Sequence, residues 1–164
     1  MASEKMIKSI SHQINREIYS AYFYLGMASY ASSVGKKGVA NWFTAQVKEE
    51  LMHAKKMYSY IQEQGSRVML EAIEEPPQEF SSIVDLFEQT LAHEKNVSAM
   101  IHALVDLAIS EEDQTTEKFL QWYVKEQIEE EETPAGILEK LKNADETGIE
   151  EVDKELAERA FNIS

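Results

Sequence analysis

The stretch "VKEELMHAKK", residues 47–56, places two adjacent glutamates and a histidine in a segment whose apolar residues have helical spacing. Glu50 and His53 are three residues apart, so on a helix their side chains lie on the same side. Val47 and Ala54 belong to the apolar stripe on that side, which indicates the face that packs into a core. A carboxylate in a core is costly unless it finds a partner. The stretch therefore predicts a buried polar site.

The helical spacing continues on both sides of this stretch. Apolar residues recur every three or four positions through four long segments, and Gly and Pro cluster between the segments. The pattern predicts an all-α fold within one domain of residues 1–164, and Pro134 is expected to kink the fourth helix. Four long helices and a short fifth are predicted over about residues 5–33, 38–64, 81–110, 113–143 and 148–161.

The second connection, over about residues 65–80, is much longer than the first and third. A helix of about 28 residues is roughly 42 Å long, and about 15 extended residues reach roughly 50 Å. The loop can therefore cross the whole bundle, which would make helices two and three parallel. The short connections predict antiparallel neighbours.

Each apolar stripe is interrupted by a carboxylate near its middle. Because helices of similar length have their midpoints at one level, these side chains should converge. The four interruptions are Glu17, Glu50, Glu94 and Glu130.

The spacing of the interruptions repeats. The first half reads E-x32-E-x-x-H from Glu17, and the second reads E-x32-Q-x-x-E from Glu94, with Gln127 in the place of Glu50. This pattern is typical of an internal duplication in which each helical hairpin supplies half of one site.

Four convergent carboxylates carry a charge of −4, which two divalent cations would neutralise, and His53 would add a neutral nitrogen donor. Oxygen-rich ligands with one imidazole suit Fe(II), Mn(II) or, less selectively, Zn(II). The chain has no cysteine, which excludes disulfides, cysteine-ligated iron–sulfur clusters and thiolate zinc sites.

Other residues near the stripes leave alternatives open. Glu49, Glu126 and Glu129 either form an outer, weaker metal position or belong to a solvated face. Tyr24 lies two turns after Glu17 and is either a core tyrosine or a redox or hydrogen-bonding partner of the site.

The remaining aromatic and histidine residues have simpler interpretations. Trp42 and Trp122 are predicted to serve in packing, and three histidines beside or off the stripes are predicted to lie at the surface: His12, His93 and His102.

The formal net charge of −14, from 30 acidic and 16 basic residues, would repel nucleic acid and anionic membranes. No apolar stretch approaches the length of a membrane span, and the start "MASEKMIKSI" lacks the apolar centre of a signal peptide. We expect a cytoplasmic protein with neither nucleic acid nor membrane as a partner.

Three segments together resemble the non-haem ferritins of bacteria and archaea. They are "SHQINREIYSAYFYL" (residues 11–25), "NWFTAQVKEELMHAKK" (41–56) and "FLQWYVKEQIEEEE" (119–132). The resemblance implies a ferritin-like four-helix bundle with a long crossover and a fifth helix. It also implies an iron-storage protein that oxidises Fe(II) with O2 or peroxide at a ferroxidase centre and stores Fe(III) mineral in a hollow shell of 24 subunits.

The resemblance also implies roles for particular residues. The first iron would be held by Glu17, Glu50 and His53, and the second by Glu94 and Glu130, with Glu50 bridging and Gln127 close by. A third iron position would involve Glu49, Glu126 and Glu129 with help from Glu130, and Tyr24 and Trp122 match aromatic residues near the centre.

The sequence differs from that of the related bacterioferritins at two functional positions. Bacterioferritin has Glu-x-x-His in the fourth helix, where this chain has Gln127-x-x-Glu130, which favours turnover of iron over a permanently held metal pair. The haem-binding methionine of bacterioferritin corresponds to Leu51, and Met52 lies about 100° away around the helix. We therefore predict no haem.

Competing interpretations are less consistent with the sequence. A rubrerythrin-type oxidase or peroxidase needs four cysteines for its second iron site. The twelve-subunit, DNA-binding relatives place their metals between subunits and lack a fifth helix. A subunit that only builds a shell should lack the metal ligands.

Aromatic residues off the core stripe of helix one predict burial against another subunit: Tyr19, Tyr22, Phe23 and Tyr30.

Overall fold

The computed structural model describes residues 1–161 of the chain, and within that range it contains helices and no strands. The predicted all-α fold is confirmed. The five helices are α1 (Glu4–Ser33), α2 (Lys37–Glu63), α3 (Ile83–Ser110), α4 (Gln114–Lys142) and α5 (Glu146–Leu156).

Side-chain caps explain where most of the helices begin. A serine or aspartate directly before the helix accepts a hydrogen bond from a backbone N–H of the first turn, which satisfies a donor that the helix leaves free. The capping residues are Ser3 for α1, Ser82 for α3, Asp113 for α4 and Asp145 for α5.

The long connection, residues 64–82, follows α1 from one end to the other. Directly before α1, the backbone N–H of Ala2 donates to the side chain of Gln64 at 2.9 Å, and halfway along α1 the Asn15 side chain donates to the carbonyl of Met69 at 3.1 Å. Near its end, the ring of Tyr30 packs edge-on against Phe80, with the centroids 5.5 Å apart. α3 therefore starts at the same end of the bundle as α2, and the two helices are parallel, as predicted.

The apolar core forms two clusters with a polar layer between them. One cluster centres on Tyr24, Phe43 and Phe87, and the other includes Ile10 and Met57. Each of the four long helices contributes to both clusters, and its segment between them carries the predicted carboxylate. The two apolar ends hold the four helices in register, so the polar side chains between them meet.

α5 packs against the start of α2. A Cβ atom on Gly38 would lie only 1.6 Å from the carbonyl oxygen of Asp153, so this approach requires glycine. The Asp153 side chain also accepts from the backbone N–H of Val39 at 2.8 Å. α5 thus covers the end of the bundle at which α2 begins.

The predicted end of the fifth helix, at residue 161, was wrong, because α5 ends at Leu156. The Asn41 amide of α2 donates to the carbonyls of Leu156, Ala157 and Arg159. These contacts occupy backbone acceptors and draw the chain away from a helical path.

α4 continues through Pro134, which is buried inside the helix, and the kink there stays a prediction.

Two further expectations about individual side chains were wrong. Phe23 was expected to face another subunit, but it is buried within this one, with its ring centroid 4.8 Å from that of His93. His93 is half-buried rather than at the surface, because α1 covers this part of α3. Tyr22 is exposed, and Tyr19 and Tyr30 are half-buried.

Within residues 1–161, no helix combines the length and the apolar character that a membrane span requires.

Candidate metal centre

All four long helices contribute to one buried polar cluster at the middle of the bundle. α1 supplies Glu17, α2 supplies Glu50 and His53, and α3 supplies Glu94, each no more than 2% exposed. α4 supplies Gln127 and Glu130, which are 4% and 7% exposed. The structure therefore brings together the six residues that the spacing pattern identified.

The ligand atoms in this cluster form three groups in which all atoms lie within 4.8 Å of one another. The groups are Glu17, Glu50 and His53; Glu50, Glu94 and Glu130; and Glu49, His53, Glu126 and Glu130. Glu50 belongs to the first two groups, which is the arrangement expected of a carboxylate that bridges two cations.

The third group lies toward the outside of the centre. Glu49 and Glu126 are half-buried, and they approach His53 and Glu130. Glu129 is exposed and belongs to none of the three groups. Successive residues on a helix point about 100° apart, so Glu129 faces away from the centre when Glu130 faces into it.

The imidazole of His53 lies between carboxylates. Its Nδ1 is 3.1 Å from an oxygen of Glu50 and 4.0 Å from one of Glu17. Its Nε2 is 3.7 Å from an oxygen of Glu126. Among the described residues, Nε2 and the Oε2 atom of Glu17 are buried without a hydrogen-bond partner. Buried polar atoms are rarely left without partners, so these two are available to a cation.

The cluster raises the pKa of most of its acids. Burial and the nearby charge of Glu50 raise the pKa of Glu17 to about 8. Burial and the same charge hold the pKa values of Glu94 and Glu130 well above the ordinary glutamate value. Without a cation, protons neutralise these side chains.

Glu50 and His53 behave differently because they form an ion pair. Burial opposes the charged form of each, yet their mutual attraction outweighs it. The pKa of Glu50 is lowered by the charge of His53 and its hydrogen bond, and the pKa of His53 is raised well above its usual value by Glu50. The pKa of Glu126 is lowered by His53 as well, so the metal-free centre favours an imidazolium between the carboxylates of Glu50 and Glu126.

Two buried glutamines that were not predicted as site residues support the carboxylates of the first hairpin. The Gln46 amide donates to Glu50 at 2.9 Å and to Glu130 at 2.7 Å. The Gln13 amide donates to Glu17 at 3.1 Å. Each glutamine precedes a glutamate by four residues, and the two glutamines are 33 residues apart, like the glutamates themselves. This repeat was the signal that could have identified them.

Known proteins share this arrangement. The family model described as "Ferritin-like domain" matches residues 7–144, which contain every residue of the cluster. The chain belongs to the ferritin family.

Named relatives cover nearly all of this ferritin. A bacterial non-heme ferritin of Bacteroides fragilis is 38% identical over 159 residues, which cover 97% of this chain and 100% of the relative. A bacterial non-heme ferritin of Campylobacter jejuni is 39% identical over 148 residues, covering 90% of this chain and 89% of the relative. The resemblance inferred from the three sequence segments is confirmed.

Solved structures agree with the fold. An open pore ferritin from the hyperthermophilic archaeon Archaeoglobus fulgidus has a TM-score of 0.96 and 50% identity, covering 98% of this chain and 100% of the other. An engineered closed form of the A. fulgidus ferritin has a TM-score of 0.97 and 50% identity, covering 99% and 100%.

Gln127, which distinguishes the fourth helix of this ferritin from that of bacterioferritin, supports Glu94. Its amide nitrogen lies 3.2 Å from the Oε2 atom of Glu94 and 3.1 Å from the hydroxyl of Ser98. Gln127 is therefore placed to orient a carboxylate from α3.

Tyr24 of this ferritin combines the two alternatives left open for it. It is fully buried in the apolar cluster next to the centre, and its hydroxyl donates to Glu94. Burial and the charge of Glu94 hold the pKa of Tyr24 well above 10.0, so the hydroxyl keeps its proton.

The tryptophans make packing contacts, as predicted. The ring of Trp122 lies edge-on to His53, with the centroids 5.6 Å apart, and the ammonium of Lys56 lies 4.4 Å from the Trp122 ring centre. Trp42 packs against Phe43 and Phe87. Of the histidines predicted at the surface, His12 and His102 are exposed.

Proposed function

We propose that this chain binds two Fe(II) ions at an intrasubunit ferroxidase centre, oxidises them with O2 or peroxide, and stores the Fe(III) as mineral inside an oligomeric shell. The observation that carries this proposal is the position of Glu50. It belongs at once to the group with Glu17 and His53 and to the group with Glu94 and Glu130. One side chain can therefore contact two cations.

Charge balance supports two cations rather than one. When the carboxylates of Glu17, Glu50, Glu94 and Glu130 are all ionised, their charge of −4 matches two divalent ions. Binding of Fe(II) would displace the protons that these acids and His53 hold in the free centre. The protein contributes proximity between the two metal ions and oxygen-rich ligands that release the oxidised product.

We propose a third, outer iron position at Glu49 and Glu126, with His53 and Glu130 on its inner side. A cavity of about 480 Å³ lies next to this position and is lined by Glu49, Glu129 and Glu130 among others. In this proposal Glu129 attracts cations in the cavity and is not a ligand of the buried centre. Fe(III) would leave the centre through these outer glutamates.

We further propose a shell of 24 subunits. Large apolar side chains remain exposed on the single chain, among them Tyr22, Leu25, Met69 and Leu70. Burial of these side chains against other subunits would explain why apolar residues lie on the surface of the single chain. A 24-subunit particle would have a mass of about 450 kDa, given 18.7 kDa for one chain. Light scattering on the purified protein measures this mass directly.

The decisive test of the centre is Glu50→Ala. Removing the shared carboxylate should abolish the fast phase of Fe(II) oxidation in stopped-flow absorbance, a loss of about 100-fold or more in initial rate, because both cations lose a ligand. The matched control is Glu132→Ala, which removes an exposed carboxylate outside the three groups. An unchanged initial rate in the Glu50 variant, with normal particle mass, would contradict the assignment.

Iron counting separates storage from other two-metal chemistry. After aerobic loading with Fe(II), a storage protein should elute as a very large particle with many more irons than subunits. A di-metal oxidase should retain only about a pair of metal ions per subunit. The second result would refute storage and leave the two-cation centre in place.

A further inference from the structure

Arg159 places a guanidinium against the acidic centre. Arg159, in the segment that follows α5, places one guanidinium nitrogen 2.6 Å from the Oε2 atom of Glu49 and 2.8 Å from the amide oxygen of Gln46. Another nitrogen donates to the carbonyl of Trp42 at 3.0 Å, and the guanidinium carbon lies 4.5 Å from the Trp42 ring centre. The group is held by three residues of α2.

The backbone around Arg159 is also fixed to α2. The Asn41 amide donates to the carbonyl of Arg159 at 2.9 Å and to that of Leu156 at 3.1 Å. Because of these contacts, α5 ends earlier than the sequence predicts. The same contacts place the start of the arginine side chain beside the outer glutamates, so its position is set by the fold.

Glu49 is consequently shared between two environments. Its Oε2 atom contacts Arg159, while the carboxylate also belongs to the outer group with His53, Glu126 and Glu130. Gln46 is shared in the same way, because its oxygen accepts from Arg159 and its nitrogen donates to Glu50 and Glu130. Arg159 therefore contacts Glu49 of the outer position directly, and it is connected to the buried centre through the side-chain amide of Gln46.

Charge decides what this contact does to a cation. A divalent ion bound by Glu49 would lie within a few ångströms of the guanidinium, and the two positive charges would repel each other at this half-buried site. An arginine also cannot relieve the repulsion by losing its proton. The guanidinium also occupies the Oε2 atom of Glu49, so a cation at the outer position has to share or displace this contact.

We propose that Arg159 keeps the outer cation position weak by occupying one oxygen of Glu49, so that ions leave this position for the adjoining cavity instead of staying there. This inference rests on the outer position described under the proposed function. Arg159 acts as a positioning residue, and it lines the same cavity of about 480 Å³ as Glu49, Glu129 and Glu130.

The test is calorimetric titration of the intact, metal-free assembly with Zn²⁺, a cation that undergoes no oxidation. In the wild-type protein we expect two tight ions per subunit and a third, weaker one. Arg159→Ala should tighten binding of the third ion about tenfold and leave the first two unchanged. Arg159→Lys keeps the charge but loses the forked and stacked contacts, so it should tighten binding of the third ion less than Arg159→Ala does.

Three further variants make the result specific. Glu49→Gln should remove the third ion. Lys154→Ala takes away an exposed positive charge on α5 that does not contact Glu49, and it should leave all affinities unchanged. Arg159→Gln keeps a hydrogen-bonding side chain without the charge, and it replaces Arg159→Ala if that variant loses the particle mass of the wild type.

The outcomes are distinguishable. A third ion that binds Arg159→Ala with unchanged or lower affinity overturns the role of Arg159 but leaves the outer position intact. Equal tightening in Lys154→Ala also overturns it, because the effect would then be one of overall charge. If the wild type, Arg159→Ala and Glu49→Gln all bind only two ions, the outer position itself is wrong and the inference fails with it.

Discussion

The two helical hairpins repeat the same spacing but neutralise their buried acids differently. In the hairpin of α1 and α2, the pKa of Glu17 is raised to about 8, like those of the second hairpin's acids, but Glu50 forms an ion pair with His53 at 3.1 Å. In the hairpin of α3 and α4, burial keeps the pKa values of Glu94 and Glu130 well above normal, so these acids hold protons. A duplicated pattern of ligands therefore does not imply a duplicated charge state.

The supporting side chains differ as well. Gln13 and Gln46 precede the glutamates of the first hairpin by four residues, and the corresponding residues of the second hairpin are Thr90 and Tyr123. Neither of these contacts a carboxylate of the centre, since Thr90 donates to the carbonyl of Leu86 and Tyr123 to that of His53. Support for Glu94 comes instead from α1 and α4.

The largest expected effect is a contrast between the same substitution in the two hairpins. Glu50→Gln should destabilise the metal-free protein by about 3 kcal/mol, because it removes the carboxylate nearest to the buried imidazolium of His53 and leaves only the more distant one of Glu126 at 3.7 Å. Glu94→Gln should cost less than about 1 kcal/mol, because it replaces a protonated acid with a neutral amide that can accept from Tyr24. Thermal unfolding of both variants with a chelator present measures the difference.

Equal destabilisation by these two substitutions would show that Glu50 and Glu94 have the same charge state. His53→Gln provides a further control. It removes the imidazolium and should reduce the cost of a subsequent Glu50→Gln, giving a coupling between the two sites in a double-mutant cycle.

The second effect is a decrease in the stability of the metal-free protein as pH rises. The pKa of Glu17 is about 8 in the folded chain and 4.5 in the unfolded one, so between these values the folded state binds more protons. The stabilisation from this proton is complete below pH 4.5 and is lost as pH rises through about 8, by up to about 1.4 kcal/mol per pH unit. The raised pKa of His53 acts in the same direction above 6.5.

Melting temperatures of the chelated protein between pH 5 and pH 9 provide the measurement. Glu17→Gln does not titrate at this position, so its melting temperature should depend less steeply on pH. Bound Zn²⁺ should have a similar effect on the wild type, because it replaces the protons. A wild-type melting temperature that rises toward pH 9 would contradict the charge states inferred for the centre.

The sequence was sufficient to predict the helices and the convergence of the acids. Periodicity and the Gly and Pro breaks located each helix, and similar helix lengths brought Glu17, Glu50, Glu94 and Glu130 to one level. These are local signals, repeated along the chain. The length of the second connection then determined the relative direction of α2 and α3.

Contacts between distant segments could not be predicted in this way. The early end of α5 depends on Asn41 of α2, and the burial of His93 depends on α1 covering α3. Arg159 lies outside the repeated pattern, in a segment whose path becomes evident only when α5 is packed on α2. Such residues require the three-dimensional structure, because no period in the sequence relates them to the centre.

The smallest expected effect distinguishes the two buried glutamines. Gln46 joins the hairpins, since its amide donates to Glu50 of α2 and Glu130 of α4, whereas Gln13 contacts only Glu17 of its own helix among the acids of the centre. Gln46→Ala should therefore cost about 2 kcal/mol in the chelated protein and Gln13→Ala about 1 kcal/mol. The exposed Gln78, changed to alanine, should have an effect within about 0.5 kcal/mol of zero in the same thermal unfolding experiment. If Gln46→Ala costs no more than Gln13→Ala, the link between the hairpins contributes nothing measurable, and the two halves are held together by the apolar clusters alone.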